Sequence, residues 1–211
     1  MLVADIAVQS SKLADTNHPI HPLLHQRWSP RAFAARPVEQ AKLMSLIEAA
    51  RWSPSGGNSQ PWSFIVAAQE DAVTFGKLVD CLNPSNAEWA AQAPVLILSV
   101  AQTVNSAGKP MRYAFHDVGM AEMSLIVQAM ALDLHVHPMA GFSAERACTA
   151  FAIPEDHEPV AMLAVGYLGA PEQLNERRRS QELEPRTRKA LHEFVFAARW
   201  GEAAPLLGSS V

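Results

Sequence analysis

Apolar positions along this chain switch between two periods. Between 38 and 52, Leu43, Leu46, Ile47, Ala50 and Trp52 recur three and four apart. That spacing predicts a helix over 38–52, with Pro37 at its start, where a missing N–H does no harm. The run 62–68 is short and apolar with strand propensity, and 72–82 returns to helical spacing. A second strand is expected over 94–101, with Pro94 in the first position, where it breaks no ladder bond. Over 113–134, Met120, Met123, Leu125, Val127, Met130, Leu132 and Leu134 spread around much of the cylinder and predict a buried central helix. A short helix follows over 143–151, with Ser143 as its N-cap and Pro154 beyond its end. The run 160–168 reads as a third strand and 193–200 as a candidate fourth. Helix outweighs strand about twofold, which argues for an α+β or α/β sandwich around a small sheet. Residues 1–20 read as an extended arm closed by the breakers Pro19 and Pro22; 21–211 read as one domain.

Composition narrows the class. The chain has 211 residues, 49% of them hydrophobic, and a formal net charge of −4. That length can bury about 70% of the unfolded surface. Neither wholesale disorder nor a surface that coats nucleic acid fits these values. Basic residues gather locally at Arg27, Arg31 and Arg36 and from Arg177 to Lys189, where a solvated face is the ordinary explanation. No apolar run approaches the roughly 20 residues that span a bilayer. The first twenty residues lack a basic segment leading into an apolar one, so a cytoplasmic protein is expected. Cys81 and Cys148, without C-x-x-C spacing, read as free thiols.

The chemistry concentrates in a loop. Residues 50–62 (ARWSPSGGNSQPW) place two glycines, two prolines, three serines and an Asn between a helix end and a strand start. Such a segment has little bulk and several free backbone N–H groups, and suits a flat, polar-edged ligand. An ordinary helix-to-strand connection would have the same composition. The order of residues goes further: Pro54-Ser55, Asn58 and Gln60-Pro61-Trp62 resemble the P-S-x-x-N-x-Q-P-W loop of the nitroreductase family of FMN-dependent NAD(P)H oxidoreductases. Arg27-Trp28-Ser29-Pro30-Arg31-Ala32-Phe33 is similar to that family's N-terminal R-x-S-x-[RK]-x-F motif. Pro138-Met139-Ala140-Gly141-Phe142 resembles its P-x-x-G-F turn, and Arg186-Thr187-Arg188-Lys189 its late basic pair. The similarity runs from about Pro22 to Val195, with the four motifs in the family's order.

The resemblance implies a three-layer α-β-α sandwich around a small mixed, mainly antiparallel sheet, rich in helix. It implies tight, non-covalent FMN at two sites built across a homodimer interface. Arg27 and Ser29 would then contact the phosphate and ribityl chain, and Arg31 the pyrimidine edge. Arginine suits the phosphate because its planar fork binds oxygens bidentately. Trp28 replaces the family's Arg or His, so its contact would be through the backbone. Arg186 and Arg188, at i and i+2, would face one way in an extended segment and close on the same phosphate. A backbone N–H at Ala140 or Gly141, after Pro138 and Met139, would donate to flavin N5; Ala140 stands where many members have Glu. Pro54, Ser55 and Asn58 would reach the flavin of the other subunit. The N-terminal arm and the apolar tail from Phe194 to Leu207 would wrap the partner.

Rival chemistries lack their motifs: there is no G-x-G-x-x-G, no G-x-x-x-x-G-K-[ST] and no G-x-S-x-G. His21 and His25, or His135 and His137, could ligate a metal, but neither pair has a Cys or carboxylate at metal-site spacing, so no metal is expected. No side chain stands out as a nucleophile or an acid–base pair. Without a dinucleotide fold, NADH or NADPH would have to enter the flavin site, leave oxidised and be followed by a nitroaromatic or quinone acceptor, which is ping-pong order. A dehalogenase, a flavin-destroying enzyme or a dehydrogenase of the same superfamily is the alternative, as is a flavin-binding storage or sensor protein.

Overall fold

The computed structural model describes residues 12–208. Most of the expected N-terminal arm (1–11) lies outside them, and 12–20 form neither helix nor strand. Seven α-helices and four strands follow in order: α1 (Pro22–Gln26), α2 (Gln40–Arg51), β1 (Trp62–Ala68), α3 (Ala72–Cys81), α4 (Pro84–Ala90), β2 (Val95–Gln102), α5 (Ala114–Ala131), β3 (His135–Met139), α6 (Ala144–Phe151), β4 (His157–Gly166) and α7 (Glu176–Leu183).

The sheet has order β1-β2-β4-β3, and every pairing between these strands is antiparallel. The mixed sheet that the resemblance implied is therefore wholly antiparallel. β2 is central, and its residues Val95–Ala101 are all buried, which explains its unbroken apolar spelling. Its alternate residues feed two cores. Leu96, Leu98 and Val100 face α3, α4 and α6 together with Phe33 and Trp89. Val95 and Ile97 face α2 and α5, with Leu46, Ala50, Leu125 and Ala129. The result is an α+β sandwich with helices on both faces, as expected.

Three expectations change. The run 193–200 is no strand: it holds a 3-10 turn (Leu191–Glu193) and a single bridge from Phe196 to Ala203. The fourth strand is β3, in which Pro138 sits on the sheet edge, where a missing N–H costs no ladder bond. α5 is not buried all round. Its inner stripe is Ala114, Val118, Ala121, Leu125 and Ala129, while Phe115 and Met123 face outward and are exposed. Cys81 is buried and Cys148 half-buried, both as free thiols. No helix of the described residues is long and apolar enough to cross a membrane.

Candidate functional site

Arg27 ends α1 as its C-cap, and the chain then runs extended along the outer edge of β3. Trp28 packs edge-on against His135, with ring centroids 6.3 Å apart. His137 Nδ1 lies 2.8 Å from the Pro30 carbonyl, so that nitrogen carries the proton and donates. Burial holds both imidazoles down to about 4, so they are neutral at neutral pH. The Ala34 amide on Tyr167 O and the Gly169 amide on Ala32 O then fasten the segment to the chain beyond β4.

A second stretch closes over this one from the far end of the sequence. Glu182 of α7 is 1% exposed, and its carboxylate accepts from the amides of Arg31 (2.9 and 3.0 Å) and Ala32 (3.1 Å). Burial pushes that carboxyl up even though these amides and Arg31 favour its charged form. Beyond α7, Arg186 donates to the carbonyls of His25 (2.8 Å) and Arg27. Between the two stretches lies a cleft of about 240 Å³. Arg27, Trp28, Ser29, Arg31, Arg186 and Arg188 all line it, so all six candidates from the two basic motifs come together.

The cleft is short of negative charge. Lys12, Arg27, Arg31, Arg186 and Arg188 face two carboxylates, Glu182 and Glu184. Burial, then Arg188, lowers the proton affinity of Arg27; burial, then Arg27 and Arg188, does the same to Arg186. Arg186 spends its terminal nitrogens on backbone carbonyls, and its buried Nε finds no partner among the described residues. Among the described residues the Arg27 side chain reaches only Ser29 Oγ, at 3.3 Å, and that of Arg188 only the Thr187 carbonyl. The excess positive charge of this cluster complements an anion such as a phosphomonoester, while Arg186 ties the two stretches together.

The other candidates lie elsewhere. Pro138 and Met139 belong to β3, and Met139 is buried in the core. The turn beyond them leaves the Ala140 and Gly141 amides without acceptors among the described residues, while the Gly141 carbonyl accepts from the Asn83 amide and Asn86 Nδ2, both at 3.0 Å. Two adjacent unspent N–H groups fit the polar edge of a flat heterocycle. Pro54, Ser55 and Asn58 do not line the cleft of their own chain. The Gly56 amide donates to Asp117 of α5 (3.0 Å), and Ser55 Oγ accepts from the Gln60 amide (3.0 Å). Gly57, Asn58 and Gln60 all have positive φ, at 60°, 56° and 48°. Among the described residues no cluster of three His, Cys, Asp or Glu is arranged to hold a metal.

Sequence reasoning missed Lys12, Glu182 and His137. Lys12 Nζ lies 5.0 Å from the centre of the Trp28 ring and donates to the Glu184 carbonyl. Glu182 and the buried Arg178 sit inside a basic run that read as a solvated face. One cue was available: the polar helix 176–183 carries Asn175 as an N-cap, which accepts from the Arg178 amide at 2.9 Å.

The family model described as the Nitroreductase family matches residues 24–167. A crystal structure titled as an oxidoreductase containing FMN superposes with a TM-score of 0.83 at 32% identity, covering 88% of this chain and 95% of its own. A nitroreductase family protein from Clostridium difficile superposes with a TM-score of 0.66 at 26% identity, over 86% and 99%. An uncharacterized 15.4 kDa protein of Mycolicibacterium smegmatis is 37% identical over 128 residues, 61% of this chain and 85% of its own. A Ralstonia nicotianae protein provisionally named NADH dehydrogenase/NAD(P)H nitroreductase is 25% identical over 148 residues, 61% of this chain and 75% of its own.

Proposed function

Because the chain belongs to the nitroreductase family and is on that ground an oxidoreductase, we propose that it binds FMN and moves hydride from NADH or NADPH to a nitroaromatic or quinone. One observation carries this reading: two basic stretches more than 150 residues apart in sequence build one cleft with five cations and two carboxylates. The similar structure of an FMN-containing oxidoreductase and the NAD(P)H in the Ralstonia name support the same chemistry.

In this reading Arg27, Ser29 and Arg188 hold the phosphate and ribityl chain, and Arg31 lies nearer the pyrimidine edge. The Ala140 and Gly141 amides point hydrogen-bond donors at the ring edge. Bound flavin supplies a two-electron carrier that accepts and returns hydride at N5. The chain's own part is positioning and charge: Arg31 lies where positive charge favours a reduced, anionic ring, and the neutral His137 holds the Pro30 carbonyl and thus the Arg31 turn. The proton that a quinone or nitro group takes up along with hydride can come from solvent, and no side chain need form a covalent bond to substrate.

The loop of Pro54, Ser55 and Asn58 completes a partner's site in this reading, and the protein is a homodimer. Its support is apolar surface left open on one chain: Met44, Trp52, Phe115 and Met123 on or beside α2 and α5, and Phe194, Trp200 and Leu206 in the tail. The test is direct. Purified protein should carry about one FMN per chain and oxidise NADH or NADPH steadily with menadione or nitrofurazone. Protein that takes up no flavin on reconstitution would end the reading; flavin without turnover would leave a binding protein.

A further inference from the structure

Residues 54–60 carry almost nothing that could hold them in place. All but the half-buried Ser55 are exposed, and Pro54 alone has an apolar side chain, so burial contributes little. Both ends are fixed. Ser53 is buried and its Oγ donates to Ser124 Oγ of α5 (2.7 Å), while the Pro61 carbonyl accepts from the Gln102 amide of β2 (2.8 Å). Between these ends the bonds stay within the loop: the Asn58 amide on the Ser55 carbonyl (3.0 Å), the Ser59 amide on the Gly56 carbonyl (3.1 Å) and the Gln60 amide on Ser55 Oγ (3.0 Å). Among the described residues one hydrogen bond leaves it, from the Gly56 amide to Asp117 Oδ2 at 3.0 Å. Yet the loop has a shape that a free chain would avoid. Gly57, Asn58 and Gln60 are all left-handed, and a glutamine in that region persists where its surroundings impose it.

We propose that Asp117 is the positioning residue of the flavin site, holding the 54–60 loop in the form that completes the partner's half of it. The proposal rests on the reading above, in which Pro54, Ser55 and Asn58 reach the partner's flavin. Asp117 stands on the inner stripe of α5, at helical spacing with Ala114, Val118 and Ala121, and is 3% exposed. A carboxylate on such a stripe is costly unless its oxygens are matched. Oδ2 takes the Gly56 amide, Oδ1 lies 3.2 Å from Nδ1 of the exposed His116, and the first turn of α5 adds the positive end of its dipole. An apolar residue at 117 would extend the stripe without that cost. What the carboxylate adds is its grip on Gly56. It acts through that amide, fixing where Ser55 and Asn58 present their polar groups. The same helix exposes Phe115 and Met123, so one rigid element carries both the grip and the open apolar surface.

Asp117→Leu removes the acceptor at similar volume, and Asp117→Asn keeps an oxygen for the Gly56 amide. Full-length protein at saturating FMN is followed by hydrogen-exchange mass spectrometry, and its FMN affinity by fluorescence titration. In Asp117→Leu, exchange over 54–60 should quicken and the Kd for FMN rise, each about tenfold for the loss of one charge-assisted hydrogen bond. Exchange over 95–102, in the central strand, should stay the same. Asp117→Asn should recover most of both changes. Ser124→Ala cuts the neighbouring tie to Ser53 and should lower the melting temperature without moving either readout. If Asp117→Leu does not fold, Asp117→Ser takes its place, because its short hydroxyl falls short of the Gly56 amide. Unaltered FMN affinity in the folded Leu or Ser variant would overturn the proposal and leave the cofactor reading standing. So would an equal loss of FMN in Asp117→Asn or Ser124→Ala, which would make Asp117 one stabilising residue among others. Unaltered protein that takes up no FMN would instead end the functional reading, and this proposal with it.

Discussion

At the scale of single residues, the readable part of the site was the part written locally. Arg27, Ser29 and Arg31 fall within five positions, and arginine beside serine already speaks of phosphate. Glu182 could not be read the same way, because its partners are amides 150 and 151 residues away. Nothing adjacent to it distinguishes a buried carboxylate from its solvated neighbours. Replacing Arg27 with alanine should weaken FMN by about 2 kcal/mol, the loss of a charge-assisted pair; unchanged affinity by calorimetry would move Arg27 out of the site. His135 makes a prediction for stability. Its folded pKa of about 4 lies below the ordinary 6.5, so the unfolded chain takes up a proton first as pH falls. The stability tied to the neutral ring is complete above about 6.5 and drains away down to about 4, by roughly 3 kcal/mol. His137, held equally low by burial, adds a loss in the same direction. His135→Phe keeps a ring against Trp28 and removes the titration. Its melting temperature should fall markedly less between pH 6.5 and 4 than that of the unaltered protein; equal falls would assign the loss to other groups.

At the scale of elements, periodicity found the long helices and the central strands, because burial on one stripe or on both faces leaves a plain trace. It failed at the edge. β3 carries two histidines and a proline in five residues, a spelling that an edge strand tolerates and a central one does not. The run 193–200 erred the other way: its apolar residues pattern like a strand but pair with none of the four strands, and Phe194 and Trp200 remain exposed. α5 was over-read because its methionines count as buried in any periodicity argument, whereas one chain covers only half of the cylinder. Caps were legible. Ser143 accepts from the Arg146 amide at 3.1 Å at the start of α6, and Ser143→Ala should cost about 1 kcal/mol in denaturant melts. A change within a few tenths would mean water replaces the cap at no cost.

At the scale of the whole molecule, the fold class and the two-sided core were plain from the sequence, while the pairing of distant stretches was visible only through family resemblance. The glycine-bearing loop now divides into unequal halves. Gly57 has φ 60° and no room problem, so only backbone conformation resists a side chain there; a Cβ on Gly56 would meet Asp117 at an ordinary 3.7 Å. Gly57→Val should therefore release flavin and shift light scattering toward monomer at micromolar protein, while Gly56→Ala should do neither. Wild-type monomer that holds FMN tightly would separate the cofactor from assembly. The clasp of Glu182 and Arg186 on the segment of Arg27 to Ala32 also orders events in time. A ribosome making this chain releases the first half of the cleft some 150 residues before the second. Until α7 and Arg186 emerge, the Arg31 and Ala32 amides lack their carboxylate and the arginines lack their enclosure. In the proposed reading, both cores and all four strands are therefore made before the cleft can enclose an anion.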